Sequence, residues 1–189
     1  MQHIYKITWS IRAIVYKLIF GSFGFPGYIG KPTFLMNARH IYIKSRVRIF
    51  PGIRAECHGR GTIQIGDNVS IGQGFHVIAS SDLKISSGCL ISGNVFITDT
   101  DHSYSNIETP VFNQINTVTT TSIGENCFIG TGARIQAGTI LGNGCIVGAN
   151  SVIRGAFPDH SVIVGSPGRI VKRFNTESGE WERVRASQH

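Results

Sequence analysis

Residues 123–153 read IGENCF-IGTGAR-IQAGTI-LGNGCI-VGANSV-I, with an aliphatic side chain at 123, 129, 135, 141, 147 and 153. A helix would repeat its apolar residues at i, i+3, i+4 and i+7, and an ordinary strand would alternate over a short run. A strict period of six fits neither. It is the pattern of a parallel β-helix built from six-residue units, each one short strand and one corner. Three units close one triangular coil of 18 residues. Ile123 is then expected to stack on Leu141, Ile129 on Val147, and Ile135 on Ile153, with coils ~4.8 Å apart.

The same register extends upstream. Ile41, Val47, Ile53, Ile65, Ile71, Val77 and Leu83 keep it, with Gly59 as a gap; a two-residue shift follows, and Ile85, Ile91 and Ile97 resume it. Residues 98–122, TDTDHSYSNIETPVFNQINTVTTTS, carry no repeat. Inside a regular solenoid such a stretch must leave the prism as an excursion loop, and loops of that length are usually functional. Residues 21–34, GSFGFPGYIGKPTF, read as a loop of glycine, proline and aromatics. After Ile153, Phe157-Pro158 breaks the last coil and Val162–Val164 closes it. Residues 173–189 read as a short helix or mobile tail with one tryptophan, Trp181.

Residues 3–20, HIYKITWSIRAIVYKLIF, have helical patterning interrupted by Lys6, Arg12 and Lys17. Those charges argue against a membrane-spanning helix, and no small-residue cleavage site completes a signal peptide. Two readings stay open. The helix caps the prism or packs on a neighbouring subunit, or it lies in the plane of a membrane with its apolar side down. The expected divisions are 1–40, an amphipathic segment and loop; 41–172, the β-helix; and 173–189, the tail.

With 189 residues the chain is expected to form one domain. Its four cysteines, Cys57, Cys89, Cys127 and Cys145, lack C-x-x-C spacing and fall at or near inward positions, as small buried hydrophobes do. The net charge of +7 is uneven: residues 1–60 hold ten Lys and Arg against Glu56 alone. An anionic partner for that end follows, whether membrane surface, phosphorylated substrate or nucleic acid; no nucleic-acid-binding motif accompanies it.

Three linked features carry a family resemblance over roughly residues 41–173. They are the repeat, an excursion opening with Asp99-x-Asp101-His102, and the closing segment from Gly165 to Lys172, GSPGRIVK. Together they resemble the hexapeptide-repeat acyltransferases in their acetyl-CoA-dependent branch. The resemblance implies a left-handed coil, against the usual crossover hand. It also implies an all-β fold, acetyl-CoA as acyl donor, and a homotrimer with active sites between subunits.

Acyl transfer to a hydroxyl needs a base, and a neutral imidazole suits that task. His102 at the loop mouth is the candidate, with Asp99 or Asp101 to fix its tautomer; an ordinary polar loop histidine is the bland alternative. The resemblance places Thr131 and Ala149 along the pantetheine arm, beside a wall kept low by Gly130, Gly132 and Gly148. Arg154, Arg169 and Lys172 match positions at the nucleotide end, where cations meet phosphates. The Asn and Asp that position small sugars in maltose and galactoside relatives have no counterpart here. His76 and Gln73 lie nearby and are the substrate-contact candidates.

The expected activity is O-acetyl transfer from acetyl-CoA to a sugar hydroxyl of a bacterial surface polysaccharide or its lipid-linked precursor. A small acceptor (antibiotic, oligosaccharide or amino sugar) and a non-catalytic scaffold are the alternatives. The zinc-dependent carbonic anhydrases that share the fold need closely spaced histidines, and His58, His76 and His102 are far apart in sequence, so no metal is expected. The expected location is cytoplasmic, peripheral at the inner face of the cell membrane if residues 3–20 bind lipid.

Overall fold

A computed structural model describes residues 2–184. The chain winds into a three-sided parallel β-solenoid. Sheet 1 holds strands 22–23, 41–43, 62–65, 82–85, 122–123, 140–141 and 156–157. Sheet 2 holds 28–29, 48–49, 70–71, 90–91, 128–129, 146–147 and 161–165. Sheet 3 holds 34–36, 54–57, 76–79, 96–98, 134–135 and 152–153.

Alternate residues of each strand point inward, because successive side chains on a strand face opposite ways; the short strands bury one apolar residue, and longer ones such as 62–65 and 82–85 bury two. Across sheet 1 the stack runs Ile43, Ile65, Ile85, Ile123, Leu141, Phe157. Across sheet 2 it runs Ile29, Ile49, Ile71, Ile91, Ile129, Val147, Ile163. On sheet 3, Ala55, Val77, Ile97, Ile135 and Ile153 do the same. All but Phe157 are buried. The stacking expected for Ile123, Ile129 and Ile135 is the one observed.

The 18-residue coil is not general. Inward residues are six apart across the corner between sheets 1 and 2 and across the corner between sheets 2 and 3. The corner between sheets 3 and 1 varies: it joins Ala55 to Ile65, Val77 to Ile85, Ile97 to Ile123, Ile135 to Leu141, and Ile153 to Phe157. The Gly59 gap and the shift at Leu83–Ile85 are insertions at this one corner.

Two expectations are corrected. Residues 21–34 are not a loop but the first coil: Ser22–Phe23 pair with Tyr42–Ile43, and Tyr28–Ile29 with Arg48–Ile49, so the solenoid starts at Ser22 rather than Ile41. Their glycines mark close stacking rather than disorder. A Cβ at Gly24 would lie 2.6 Å from the Ser45 nitrogen, and one at Gly30 would lie 2.5 Å from that of Pro51. Nor are the described residues of 173–189 a helix or loose tail. Strand 168–175 turns back antiparallel on 161–165, and 180–183 pairs with it, which covers the open edge of sheet 2. Phe174 packs edge-on against Trp181, centroids 5.5 Å apart.

Helix α1, Gln2–Tyr16, closes the N-terminal mouth. Trp9 packs on Tyr28 and Phe50, Arg12 donates to the Ile29 carbonyl at 3.2 Å, and Ala13 is buried. Its opposite face is apolar too: Ile7 is 60%, Ile11 57% and Ile14 58% exposed, and Leu18 just beyond it 80%. No helix among the described residues is long and apolar enough to cross a membrane. The four cysteines are buried, as expected. Cys89, Cys127 and Cys145 sit on successive coils and donate to the carbonyls of Gly124, Gly142 and Pro158.

Candidate functional site

The excursion leaves the corner between sheets 3 and 1 after Thr98 and returns at Thr121. Its root is tightly fixed. Thr100–Asp101 pair antiparallel with Thr117–Val118. The Thr121 hydroxyl donates to the Thr98 carbonyl at 3.0 Å, so the two ends of the loop touch. Asp99 is wholly buried beneath it. One of its oxygens accepts from the Ser80 N–H and the Thr100 hydroxyl, both at 2.8 Å; the other accepts from the Ser81 N–H at 2.7 Å and the Ser81 hydroxyl at 2.8 Å. Four donors converging on one carboxyl group fix it firmly beneath the loop.

His102 follows on the rim, exposed to solvent. Neither aspartate reaches it: among the described residues no hydrogen bond or ion pair joins His102 to Asp99 or Asp101. Asp101 instead accepts from Arg154, whose Nε also donates to the Ala137 carbonyl at 3.0 Å. Arg154 thus sits at the loop root rather than with Arg169 and Lys172. Further out, the Gln114 side-chain amide donates to the carbonyls of Asn106 at 2.8 Å and Thr109 at 2.7 Å, which closes the loop on itself. The tip leaves Ile107 97%, Phe112 92% and Ile115 89% exposed.

Gln73, Thr131 and Ala149 occupy a different edge, the corner between sheets 2 and 3. Successive coils are joined there by the Asn94 N–H to Gln73 carbonyl bond (2.7 Å) and the Asn150 N–H to Thr131 carbonyl bond (2.8 Å). Thr131 and Ala149 are exposed. The low wall beside them is required by stacking itself, since a Cβ at Gly130 would lie 2.6 Å from the Ala149 nitrogen. His102 and the Thr131–Ala149 pair therefore flank opposite edges of sheet 3.

The terminal hairpin explains how Arg169 and Lys172, three residues apart, come to share a face. Ile170 opposes Ile163 and Lys172 opposes Val162, so Val171 is an extra, bulged residue. A bulge re-aims the side chains beyond it. Arg169, opposite Val164, and Lys172, opposite Val162, both project from the outer side of sheet 2.

Between the two corners, the outer face of sheet 3 presents Phe34, Arg54, His76, Phe96 and Arg134 in register on neighbouring strands. The almost fully buried Glu56 organises them. It accepts from Arg54 Nε at 2.5 Å, lies 3.2 Å from His76 Nε2, and is 3.6 Å from His58 Nε2. Burial alone would raise the Glu56 carboxyl, but the bonds from Arg54 and His76 outweigh it and hold the carboxyl below its ordinary value. Burial pushes His76 below the ordinary imidazole value, and the bond to Glu56 offsets only part of that shift. A strict 18-residue coil does not bring this cluster together: Arg54 and His76 pair across a coil of 22 residues, which places Glu56 beside both. The slot just before each inward residue of sheet 3 (54, 76, 96, 134) was the available signal.

Comparison with known proteins fits this architecture. Residues 120–155 match the family described as bacterial transferase hexapeptide (six repeats). The chain belongs to the hexapeptide-repeat acetyltransferase family and is an acyl-CoA-dependent acetyltransferase. It is 33% identical over 160 residues to WbbJ of Escherichia coli (strain K12), covering 81% of this chain and 82% of that one; the name of WbbJ provisionally assigns it O-acetyl transfer in lipopolysaccharide biosynthesis. In fold it resembles the N-acyltransferase AntD from Bacillus cereus, solved as a mutant with dTDP-4-amino-4,6-dideoxyglucose and coenzyme A (TM-score 0.74, 20% identity, 88% of this chain and 90% of that one). It also resembles a galactoside acetyltransferase in complex with coenzyme A (TM-score 0.58, 20% identity, 88% and 72%).

Proposed function

We propose that the protein transfers acetyl from acetyl-CoA to a hydroxyl of a sugar, within a bacterial surface polysaccharide or its lipid-linked precursor. The observation that carries this reading is the excursion root, where a buried, four-bonded Asp99 and the Asp101–Arg154 pair hold an exposed imidazole at the rim. The similarity to WbbJ over most of both chains supports the choice of a glycan acceptor.

In this mechanism His102 accepts the proton of the sugar hydroxyl as its oxygen attacks the thioester carbonyl. The tetrahedral intermediate collapses by breaking the carbon–sulfur bond, and the departing CoA sulfur takes the proton back from His102. Asp99 and Asp101 act as positioning residues for the loop rather than on the ring. Thr131 and Ala149 line the pantetheine, and Arg169 and Lys172, brought to one face by the Val171 bulge, receive the phosphates. Gln73, at the head of the Thr131 corner, contacts the acceptor or the donor's reactive end.

The site is assembled in a homotrimer. Two features support this: the base and the donor wall lie on opposite edges of one sheet, where a single prism cannot face itself, and the loop tip exposes Ile107, Phe112 and Ile115. Calorimetric titration of CoA into the wild type is expected to show binding that Arg169→Ala/Lys172→Ala weakens at least tenfold. Unchanged affinity in the double variant would remove these cations from the site.

The outer stripe of α1 supports a place at the cytoplasmic face of the membrane, where lipid-linked glycans are built. Ile7, Ile11, Ile14 and Leu18 recur at helical spacing beside the exposed Lys6 and Lys17, a pattern suited to an anionic bilayer surface. The wild type should float with vesicles containing a third phosphatidylglycerol, and Ile11→Asp/Leu18→Asp should stay in the soluble fraction. Equal flotation of both would refute the membrane role.

A further inference from the structure

The outer row of sheet 3 takes no part in the transfer chemistry above, yet its side chains are arranged with care. An open cleft of about 400 Å³ beside His76 is lined by Gly74, Asn94, Val95, Phe96 and Arg134. Each lining group has a defined state. Glu56 is ionised and can only accept, so the Nε2 it bonds must carry the His76 proton, and Nδ1 is left bare as an acceptor. The Phe96 ring packs against the His76 ring at 4.9 Å and fixes it. Arg134 Nη1 donates to the Asn94 carbonyl at 2.6 Å, which holds the guanidinium over the cleft; its other donors have no protein partner among the described residues. The one carboxylate on this sheet, Glu56, is already engaged by Arg54 and His76.

We propose that this cleft binds an acidic sugar unit of the acceptor: the ring lies on Phe96, a hydroxyl donates to His76 Nδ1, and a carboxylate or phosphate group sits on Arg134. The inference rests on the glycan reading above and narrows it to glycans that carry negative charge. The combination is what a saccharide site needs, an apolar platform with a few convergent polar groups. A bare imidazole nitrogen serves a hydroxyl and not an anion, whereas a guanidinium with free donors serves an oxyanion. The two groups on one cleft therefore specify a ligand that has both. Arg54, whose guanidinium carbon lies 5.5 Å from the Phe34 ring centroid, continues the same aromatic-and-cation row one coil beyond His76 and would meet the next unit.

The test uses the full chain labelled with ¹⁵N-histidine, titrated with methyl β-glucuronide, glucose 1-phosphate and neutral methyl β-glucoside, with and without saturating CoA. The His76 resonance is expected to move with one or both acidic sugars at an affinity about tenfold tighter than with the glucoside, the low end of a charge-assisted bond in an open cleft. Arg134→Gln should abolish the preference and leave CoA affinity unchanged; this side chain is exposed, so the variant is expected to fold. A response to the glucuronide alone assigns a carboxylate, and to the phosphate alone a phosphate. Equal affinity for neutral and acidic sugars overturns the proposal, as does displacement of the sugars from His76 by CoA, which would make the cleft part of the donor site. Sugar binding that persists in a protein that does not bind CoA would refute the transferase mechanism instead, leaving the subsite standing.

Discussion

Replacing His102 with alanine is expected to lower kcat by about 10²- to 10⁴-fold, the usual contribution of a positioned general base. The affinity for CoA should stay within twofold, because no donor-wall residue depends on this side chain. Release of free CoA thiol with a glycan acceptor measures the first, and calorimetry the second. A loss of less than threefold would make His102 a surface histidine of the loop. The same variant also tests the location of the site. Chains carrying His102→Ala, mixed and reassembled with chains carrying Arg169→Ala/Lys172→Ala, should recover activity. Each mixed trimer would then hold one interface that joins an intact histidine to an intact cation pair. Absence of recovery in verified mixed oligomers would place the whole site within one chain.

The second large effect is expected at Asp99, and it concerns stability first. Asp99→Ala removes four hydrogen bonds at a buried carboxylate and leaves the Ser80 and Ser81 N–H groups without partners beneath the loop. Hydrogen bonds to a charged group contribute about 1.5–3 kcal/mol, and buried donors left unsatisfied cost about as much, so a loss of roughly 3–5 kcal/mol is expected. For a chain of this size that corresponds to a Tm roughly 10 °C lower. Activity should fall with it, accompanied by protease cleavage within 102–116. Asp101→Ala, which breaks an exposed ion pair, should cost less than about 1 kcal/mol. If Asp99→Ala kept the wild-type Tm and lost only kcat, its role would be on the imidazole after all.

The period of six made the fold legible because an inward apolar residue on each strand is a demand of the prism, written at a fixed spacing. The excursion was legible for the opposite reason, as the one interval where that demand lapses. What stayed hidden lies where a single coil length was assumed. The first coil was read as a loop because Gly24, Gly27 and Gly30 look like turn residues, whereas they are sites of close approach between coils. Asp99 stands three residues before His102 in sequence, but it occupies the bend between strands 96–98 and 100–101, and its bonds run back to Ser80 and Ser81 of the preceding coil. The Glu56–His76 pair depends on a coil of 22 residues, a number that becomes available only once strand pairing is known.

The uneven corner has a consequence for how such a protein can change. Two edges of the prism have a fixed arc and the third has free length, so a segment can be exchanged there without renegotiating the interior. The ends of the excursion meet at the Thr98–Thr121 bond. Any inserted segment whose ends meet satisfies the same condition, and the entropic cost of closing it grows slowly with length. The interior stacks of Ile97 and Ile123 would not register the exchange. The fold thus works as a spindle with a single open slot, into which different loops can be fitted while the interior rows stay in place.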